Sequence, residues 1–434
     1  MNRKNQGWLN FLLCLIIAVN LVLFDHPKAT PSMDIANSQT PEALTEIRGV
    51  WLTNVASGIL FFPWGINRAV YQLAQLNFNT IYPVVWNRGH TFYPSTVAKS
   101  VTGEEQDPVL NIIRLGRDVL AEIIQEGHNQ GLRIIPWFEY GFMAPPNSKL
   151  AKNHPNWITK SSSLCVKKPG IVKQVQTKPG QNQNKLSSQC PIPTLADPDS
   201  LQNSTRKLVW LNPLHPEVQK FILNLIVEVV KNYDIDGIQL DDHFGMPVEL
   251  GYDDFTIKLY QKEHKGKLPP NNPLESEWME WRANKISQFL EKIYKRVKSI
   301  KPDCLISVSP NSQAFSYNNY LQDWLTWVER GWVDELVLQA YRNDMGGFQA
   351  ELNKPAVQIA LKKIPVSIGI TTGTGKRPVA MKQIQQQVKE VRDRNFNGVS
   401  FFYWETLWSY LTPESPKQRR QGFLELFSEK SPLG

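Results

Sequence analysis

Residues 216–242 read PEVQKFILNLIVEVVKNYDIDGIQLDD, and this stretch decides the fold class. His215-Pro216 marks the start of a helix. The run Gly237-Ile238-Gln239-Leu240 then predicts a short buried strand. A helix leading directly into a buried strand is the repeating unit of α/β folds. The apolar residues of the helix recur at helical spacing and form one face: Val218, Phe221, Ile222, Leu225, Ile226, Val229, Val230 and Tyr233.

The same alternation extends along most of the chain. Further strands are predicted at Ile47–Thr53, Thr80–Trp86, Leu132–Phe138, Leu305–Val308, Glu335–Ala340, Val366–Ile370 and Gly398–Trp404. Further helices are predicted near Asn67–Leu76, Arg117–Gln130, Glu277–Ile300, Tyr320–Arg330, Ala356–Lys363, Met381–Arg394 and Pro416–Phe427. No glycine-rich phosphate loop follows the first strand. Together with the helix and strand above, these make eight strand–helix units. Eight such units favour a closed (β/α)8 TIM barrel over residues 46–430 rather than an open doubly wound sheet.

A polar insertion between strand 3 and strand 4 interrupts this pattern. Residues 161–205 are too long and too polar for an ordinary βα loop, so we expect a flexible insertion over the barrel mouth. Cys165 and Cys190 both lie in it, and in an oxidising compartment we expect them to form a disulfide. The chain has no CxxC pair, which argues against a structural zinc site.

The first residues resemble an export signal. Arg3 and Lys4 precede an apolar run over residues 8–24, which is slightly short for a membrane span. Residues 1–26 are therefore predicted to be a signal peptide or a membrane anchor, and residues 27–45 a linker. The positive charge before the run places the following residues outside the cytoplasmic membrane, in the periplasm, cell envelope or medium. The sequence does not indicate an oligomeric state.

Composition and charge limit the classes of molecule that the protein is expected to bind. The 434 residues carry a net charge of +8, and lysines concentrated between residues 160 and 185 account for much of the excess. No nucleic-acid module is present, so a nucleic-acid partner is not expected. An anionic polysaccharide suits the charge better. Neither HxH nor HExxH occurs, and we predict no metal and no cofactor.

Carboxylates at the predicted strand ends indicate glycosidic cleavage, which needs two carboxyl groups across a cleft. Adjacent strand residues point to opposite faces, so only Asp241 shares the inward row with Gln239. Asp241 is therefore the first catalytic candidate. Asp242 is either catalytic, a cap for the next segment, or a partner for Arg88.

The second carboxyl group is less closely defined. Glu139 ends strand 3 and Glu405 ends strand 8, and each lies near a tryptophan. Apolar surroundings raise the pKa of a carboxyl group, which suits a proton donor. We favour Glu139 and Glu405 over Asp344 as the acid, although each can equally bind a sugar hydroxyl.

Other residues at the strand ends are candidates for substrate binding. Polar candidates are Asn87, Arg88, Asn311 and Tyr341. The 14 tryptophans exceed what a core of this size ordinarily needs, and those near strand ends either stack on sugar rings or pack the barrel. The stacking candidates are Trp86, Trp137, Trp404 and Trp408.

Four segments resemble the glycosyl-hydrolase-like family 10, which comprises bacterial exported barrel proteins. The segments are Arg48–Leu52, Tyr82–Trp86, Trp210–Val218 and Asp236–Asp242, and the likeness extends from about Glu46 to Leu407. The resemblance implies hydrolysis of a glycan and, for some members, cleavage of peptide-stripped peptidoglycan strands or another N-acetylhexosamine polymer.

Strand 4 is also similar to the chitinase motif Asp-Gly-x-Asp-x-Asp-x-Glu. Gln239 replaces its middle Asp and His243 its terminal Glu, so the chitinase mechanism does not transfer whole. Asp241 and Asp242 can instead act as an adjacent pair, as in several N-acetylhexosaminidases, with Tyr341 binding the acetamide. Alternatively, Asp241 is a nucleophile, as in amylase-like barrels. A glycan-binding barrel without activity and a transglycosylase are the rival functions.

Overall fold

The computed structural model describes residues 46–55, 57–162, 208–374, 377–408 and 412–428. The predicted signal or anchor, the linker, nearly all of the insertion at 161–205 and the Cys165–Cys190 disulfide lie outside the described residues. Among the helices that are described, none has both the length and the apolarity that crossing a membrane requires.

The core is a closed barrel of parallel strands, which confirms the predicted (β/α)8 TIM barrel. The first strand pairs with both the second and the last, and this pairing closes the sheet. β3 is interrupted and consists of Arg133–Ile134 and Trp137–Phe138. The other strands are β1 Ile47–Leu52, β2 Thr80–Asn87, β4 Gly237–Asp241, β5 Leu305–Ser309, β6 Glu335–Gln339, β7 Val366–Thr371 and β8 Gly398–Phe402.

One helix follows each strand on the outside of the barrel. These helices are α1 Pro63–Gln75, α2 Val119–Asn129, α3 Pro216–Asn232, α4 Ser276–Ile300, α5 Trp324–Glu329, α6 Pro355–Leu361, α7 Met381–Asp393 and α8 Pro416–Leu426. α3 begins as its sequence predicts, with His215 as N-cap and proline in its first turn. Its apolar face is buried, and each large side chain there contributes about 1.5–3 kcal/mol.

Short elements occupy the loops. Short antiparallel pairs join His90–Thr91 to the end of β2, Met143–Ala144 to Val209–Trp210, and Gly373–Thr374 to Arg377–Pro378. A 3-10 turn covers Pro155–Trp157. The additional helices are Thr96–Thr102, Pro108–Ile113, Lys149–Asn153, Asp254–Glu263, Gln313–Tyr320, Met345–Leu352 and Trp404–Leu407.

Two predicted elements have a wrong boundary. The helix predicted over Tyr320–Arg330 starts only at Trp324, because Tyr320 ends the preceding helix, Gln313–Tyr320, and Leu321 after it adopts a left-handed conformation (φ 53°). The strand predicted to reach Trp404 stops at Phe402, and Trp404 begins a short helix. Both errors concern boundaries, which apolar runs define poorly.

The inside of the barrel is polar near its amino-terminal end, which we call the base. Arg133 Nη2 donates to Glu335 Oε2 at 3.0 Å, while Tyr82 Oη and Ser307 Oγ donate to Oε1 at 3.2 and 3.0 Å. Gly49 leaves room for this arrangement, because a Cβ there would lie 2.6 Å from the Tyr82 ring. The base therefore holds a carboxylate that has both a cation and two hydroxyl donors.

Candidate active site

Asp241 ends β4 and points into the mouth, the carboxyl-terminal end of the barrel. It is 3% exposed. Its Oδ1 accepts hydrogen bonds from Ser309 Oγ on β5 and Gln339 Nε2 on β6, both at 3.0 Å. Three neighbouring strands therefore hold this carboxyl group in place. Sequence reasoning missed Ser309 and Gln339, although both end a strand on the inward row.

Asp242 also faces the mouth, because His243 turns it towards Asp241. The Nδ1 of His243 lies 3.1 Å from Asp241 Oδ2 and 2.9 Å from Asp242 Oδ1. Asn311 Nδ2 donates to Asp242 Oδ2 at 2.6 Å. The expectation that Asp242 pairs with Arg88 or caps the next segment is therefore wrong, since its partners belong to the mouth. His243 was missed as a positioning residue despite its place in the strand 4 motif.

The two aspartates have opposite pKa shifts. Burial and the adjacent Asp242 carboxylate raise the pKa of Asp241 well above its ordinary value. Burial also opposes ionisation of Asp242, but His243, Asp241 and Asn311 together outweigh it and lower the pKa of Asp242. Asp241 is therefore the less acidic member of the pair and Asp242 the more acidic one.

Glu139 follows β3 in the same mouth. It is 5% exposed, and its Oε2 accepts hydrogen bonds from Thr53 Oγ1 at 3.0 Å and Asn87 Nδ2 at 2.6 Å. Burial raises the pKa of Glu139 to about 7, although these hydrogen bonds and the charges of His243 and Arg88 lower it. Glu139 can therefore exchange a proton near neutral pH.

Glu405 lies on the short helix after β8, where it accepts a hydrogen bond from Ser57 Oγ. Burial raises the pKa of Glu405 to about 8. Its Oε2 is buried and has no hydrogen-bond partner among the described residues. Glu405 and Glu139 thus show the raised pKa that the sequence led us to expect, but neither contacts the aspartate pair through a hydrogen bond.

A stack of side chains connects β2 to the aspartates. The rings of Tyr140 and His243 are parallel within 6°, with centroids 5.2 Å apart. The guanidinium of Arg88 lies 5.1 Å from the centroid of Tyr140, and its Nη2 donates to Tyr140 Oη at 3.2 Å. Arg88 and Asn87 therefore do line the mouth, as does Asn311 through Asp242.

The tryptophan candidates divide into two groups. Trp86 is fully buried, donates to the Gly141 carbonyl at 2.8 Å and packs against Phe221 of α3, so it cannot stack on a sugar. This corrects the prediction. A register shift in β2 between Val84 and Trp86 explains it, because a bulge turns Trp86 outward and Asn87 inward. Trp137 is 2% exposed inside the barrel, near Trp51.

The remaining aromatic residues lie nearer the rim. Trp404 and Trp408 contact each other edge to face at 5.5 Å, and Trp408 is partly exposed. Tyr341 is partly exposed and stacks on Phe402 at 5.5 Å. Trp64, which we missed, is 58% exposed at the start of α1 and stacks on Phe62. The sequence alone could not identify Trp64, because the exposed side chains of α1 can be inferred only once the start of the helix is known.

Several buried polar atoms at the mouth have no partner among the described residues. They are Asn87 Oδ1, Arg88 Nε, Trp137 Nε1, Glu405 Oε2 and Trp408 Nε1. Such atoms are rare in protein interiors and are usually satisfied by water or a ligand. Similar atoms occur elsewhere in the described part of the chain, but those at the mouth lie where a polar ligand could satisfy them.

Asp241, Asp242 and His243 also place ligand atoms within 4.8 Å of one another, as a metal site would. Burial opposes protonation of His243, yet the two carboxylates, Asp242 foremost, raise its pKa well above the ordinary value. When it is protonated, the His243 ring donates to these carboxylates.

Comparison with known proteins places this site in a family. The model of the family described as Glycosyl hydrolase-like 10 matches residues 46–185 and 175–391. The chain belongs to this family. Glycosyl hydrolase DigH of Escherichia coli K12 is 24% identical over 371 residues, covering 75% of this chain and 74% of DigH. Glycosyl hydrolase YngK of Bacillus subtilis is 23% identical over 372 residues, covering 76% of this chain and 59% of YngK.

Solved structures agree on the fold of this glycosyl hydrolase-like 10 protein. The PgaB glycoside hydrolase domain of Bordetella bronchiseptica has a TM-score of 0.58 at 13% identity, covering 90% of this chain and all of that domain. The catalytic domain of a β-amylase from Paenibacillus polymyxa has a TM-score of 0.52 at 12% identity, covering 88% and 98%. Family and fold together support cleavage of glycosidic bonds as the activity class.

Proposed function

We propose that this protein hydrolyses glycosidic bonds in a cell-wall polysaccharide outside the cytoplasmic membrane, with Asp241 and Asp242 as its catalytic pair. The observation that carries the proposal is a pair of adjacent carboxyl groups that His243 Nδ1 contacts together in the barrel mouth, with opposite directions of pKa shift. Glycoside hydrolysis needs one carboxyl group that holds a proton and one that is ionised. This pair supplies both at the same pH.

The roles follow from the relative acidity of the pair. In the proposed mechanism Asp241, the less acidic member, carries a proton and gives it to the leaving oxygen as the bond from that oxygen to the anomeric carbon breaks. Asp242 stabilises the positive charge that develops on the sugar, through the 2-acetamido group where the sugar carries one. Water then adds to the anomeric carbon, and its proton returns to Asp241. A nucleophilic role for Asp241 fits less well, because a nucleophile must be ionised.

The other candidates take supporting roles in this scheme. His243 orients both aspartates and balances their charge. With a pKa of about 7 for Glu139 and about 8 for Glu405, both are at least partly protonated near pH 7 and can donate or accept hydrogen bonds with sugar hydroxyls. We propose that Tyr341 binds an acetamide and that the partly exposed Trp408 stacks on a sugar ring, while Trp404, which is 8% exposed, packs against Trp408.

We propose peptidoglycan glycan, or another N-acetylhexosamine polymer, as the substrate. Its support is the family, the net charge of +8 and the apolar run at residues 8–24, which would export the protein to the compartment that holds this anionic polymer. Amino-terminal sequencing of the envelope fraction distinguishes the two forms. A start near residue 27 indicates cleavage of a signal, and an intact start indicates an anchor.

Digestion of defined glycans tests the activity. The purified protein is incubated with peptidoglycan strands whose peptides an amidase has removed, with intact peptidoglycan, and with chitin, and the products are analysed by mass. We expect shorter strands from the first substrate. Products longer than the starting strands would indicate a transglycosylase. Binding without any product would indicate a glycan-binding barrel.

A further inference from the structure

Two exposed aromatic side chains lie together on α1, outside the barrel mouth. Among the large apolar side chains that are exposed in the described part of the chain, Trp64 and Tyr71 are the aromatic ones, at 58% and 45% exposure. The others are aliphatic, and none of them belongs to α1. Tryptophan is highly buried on average, and exposed apolar side chains that cluster mark binding surfaces. We therefore considered what this side of α1 could bind.

The two rings lie on one face of the helix, which we call the outer face of α1. It comprises Trp64, Asn67, Arg68 and Tyr71, all of them exposed. Tyr71 follows Trp64 by seven residues, close to two helical turns, so both point in the same direction. At a rise of ~1.5 Å per residue, their Cα atoms lie about 10 Å apart. This is close to the length of a disaccharide in a β-1,4-linked glycan, in which alternate sugars present the same face.

The start of α1 is held against the loop that leaves the mouth after β1. Ser57 in this loop donates to Glu405 at the mouth, and the Ile59 amide donates to Ser57 Oγ at 3.3 Å. Gly65 packs directly on the same loop, since a Cβ there would lie 2.6 Å from the Ile59 carbonyl oxygen. Trp64 therefore has a fixed position at the rim, and α1 leads from it away from the mouth.

Both rings offer a surface on which a sugar can stack. Phe62 supports the Trp64 ring from one side, with centroids 5.5 Å apart and planes inclined by 23°. Since most of Trp64 is exposed, the opposite side of the ring faces solvent. Tyr71 adds a second ring with a hydroxyl group that can donate or accept a hydrogen bond. A flat aromatic surface with a polar edge suits the apolar face and the hydroxyl groups of a sugar.

We propose that the outer face of α1 is a second glycan-binding site, on which a long polysaccharide strand lies where it leaves the mouth. The identity of the glycan, a β-1,4-linked hexosamine polymer, rests on the proposed function. A lipid surface or an apolar helix would need a continuous apolar stripe, whereas polar residues such as Asn67 separate the two rings. Contacts at the mouth and on α1 act on the same strand, so their affinities reinforce each other only when the strand is long enough to reach both.

Binding of strands of different length tests the proposal. Amidase-stripped peptidoglycan strands are separated by size, and a tetrasaccharide and long strands are titrated calorimetrically against Asp241→Asn, which leaves the ligand uncleaved. Concentrations are counted per tetrasaccharide, so that a long strand gains nothing from its number of sugars alone. The length preference is the Kd of the tetrasaccharide divided by that of the long strands. We expect a preference of at least about 10-fold.

Substitutions on α1, each combined with Asp241→Asn, should lower this preference. Trp64→Ala and Tyr71→Ala should each reduce it by about threefold, and the two together should bring it close to 1. Tyr71→Phe keeps the ring and should keep most of the preference. Leu115→Ala is the matched control and should keep all of it, because Leu115 is apolar and 88% exposed but does not belong to α1.

Three results overturn the proposal: equal affinities for the two ligands in Asp241→Asn, an undiminished preference when both rings are removed, and an equal loss in Leu115→Ala. Dimerisation of the wild type that Trp64→Ala abolishes, without any length preference, would identify a second copy of the chain as the occupant instead. All of these leave the proposed function intact if the wild type cleaves the stripped glycan. If the wild type cleaves no glycan but long strands still bind through α1, the proposed function fails and the second site stands.

Discussion

Glu335 at the base of the barrel and Glu139 at its mouth are both buried glutamates on the inside of the same barrel, yet their surroundings differ. Glu335 contacts Arg133 at 3.0 Å in addition to the hydroxyls of Tyr82 and Ser307. Glu139 contacts two neutral donors, and burial raises its pKa to about 7. The chain thus supplies a full cation partner at the base and withholds a contacting one at the mouth.

This difference separates a structural carboxyl group from a chemical one. A buried carboxylate without a contacting cation costs stability, and such an arrangement is retained where a shifted pKa is useful. The mouth repeats it in Glu405, while Asp241 shares the contacting ring of His243 with Asp242. Changes at the mouth should therefore alter activity, whereas changes at the base should alter stability.

Asp241→Asn should have the largest effect on activity. It removes the proton donor while keeping the size of the side chain, so turnover of a glycan should fall by at least ~10²-fold with little change in the melting temperature. A nitrophenyl glycoside, whose leaving group needs little protonation, should be partly spared in this variant but not in Asp242→Asn. Equal losses in both variants on both substrates would contradict the assignment of the proton to Asp241.

Glu335→Gln should have the largest effect on stability. It leaves the buried end of Arg133 without a carboxylate, which should lower the free energy of unfolding by about 3 kcal/mol. Turnover by the fraction that remains folded should stay within about threefold of wild type. Denaturant unfolding measures the change in the free energy of unfolding. Activity divided by the concentration of folded protein measures the turnover of the folded fraction. A large loss of turnover at full stability would show that the base takes part in catalysis.

Glu139→Gln and Glu405→Gln should each lower kcat/KM by roughly 10-fold, equally on glycan and nitrophenyl glycoside, because these residues contact the sugar rather than the leaving oxygen. The same assay tests the alternative that one of these two glutamates is the acid. If Glu139→Gln spares the nitrophenyl glycoside and removes the alkaline limb of the pH profile, Glu139 is the acid. The same result in Glu405→Gln would assign the acid to Glu405.

The mouth should also make stability depend on pH. Because the folded pKa of Glu139 is about 7, against an ordinary value of 4.5, its contribution to stability is complete below 4.5 and is lost as the pH rises through 7. Glu405, whose folded pKa is about 8, adds a further loss of stability as the pH rises through 8. The melting temperature should fall by on the order of a few degrees between pH 5.5 and pH 9, and by less in Glu139→Gln. An unchanged slope in that variant would refute the raised pKa.

Trp64→Ala should have the smallest effect. Its exposed ring at the rim is expected to stack on a sugar away from the cleaved bond, so KM should rise by about threefold with kcat unchanged. Ile112→Ala is the matched control, because Ile112 is 73% exposed on a different helix. An equal change in both variants would remove Trp64 from the binding surface.

Regular periodicity made the barrel predictable. Each predicted strand and most helices lie within a few residues of their predicted bounds, because alternating apolar patterns record which face is buried. The position of Trp86 could not be predicted in the same way. The bulge in β2 that turns it outward depends on pairing with β3, which lies about fifty residues further along the chain.

The residues of the candidate site that could be predicted are those whose position follows from the end of a single strand. Asp241 and Glu139 follow from the inward row of their own strands. Ser309, Gln339 and the orientation of Asp242 depend on contacts between different strands or loops, which only the closed barrel brings together. The raised pKa of Glu139 and Glu405 was predicted, but the opposite shifts of Asp241 and Asp242 were beyond the sequence, since they depend on burial and on the charge of His243.

Digestion in water enriched in oxygen-18 tests the central claim most directly. Amidase-stripped glycan is incubated with wild type or Asp241→Asn, new reducing ends are trapped at once by borohydride, and the products are analysed by mass. Hydrolysis by the aspartate pair predicts one oxygen-18 atom at each new end with wild type, and no new ends above background with Asp241→Asn. New ends that lack the label, or equal numbers of labelled ends from both proteins, would contradict it.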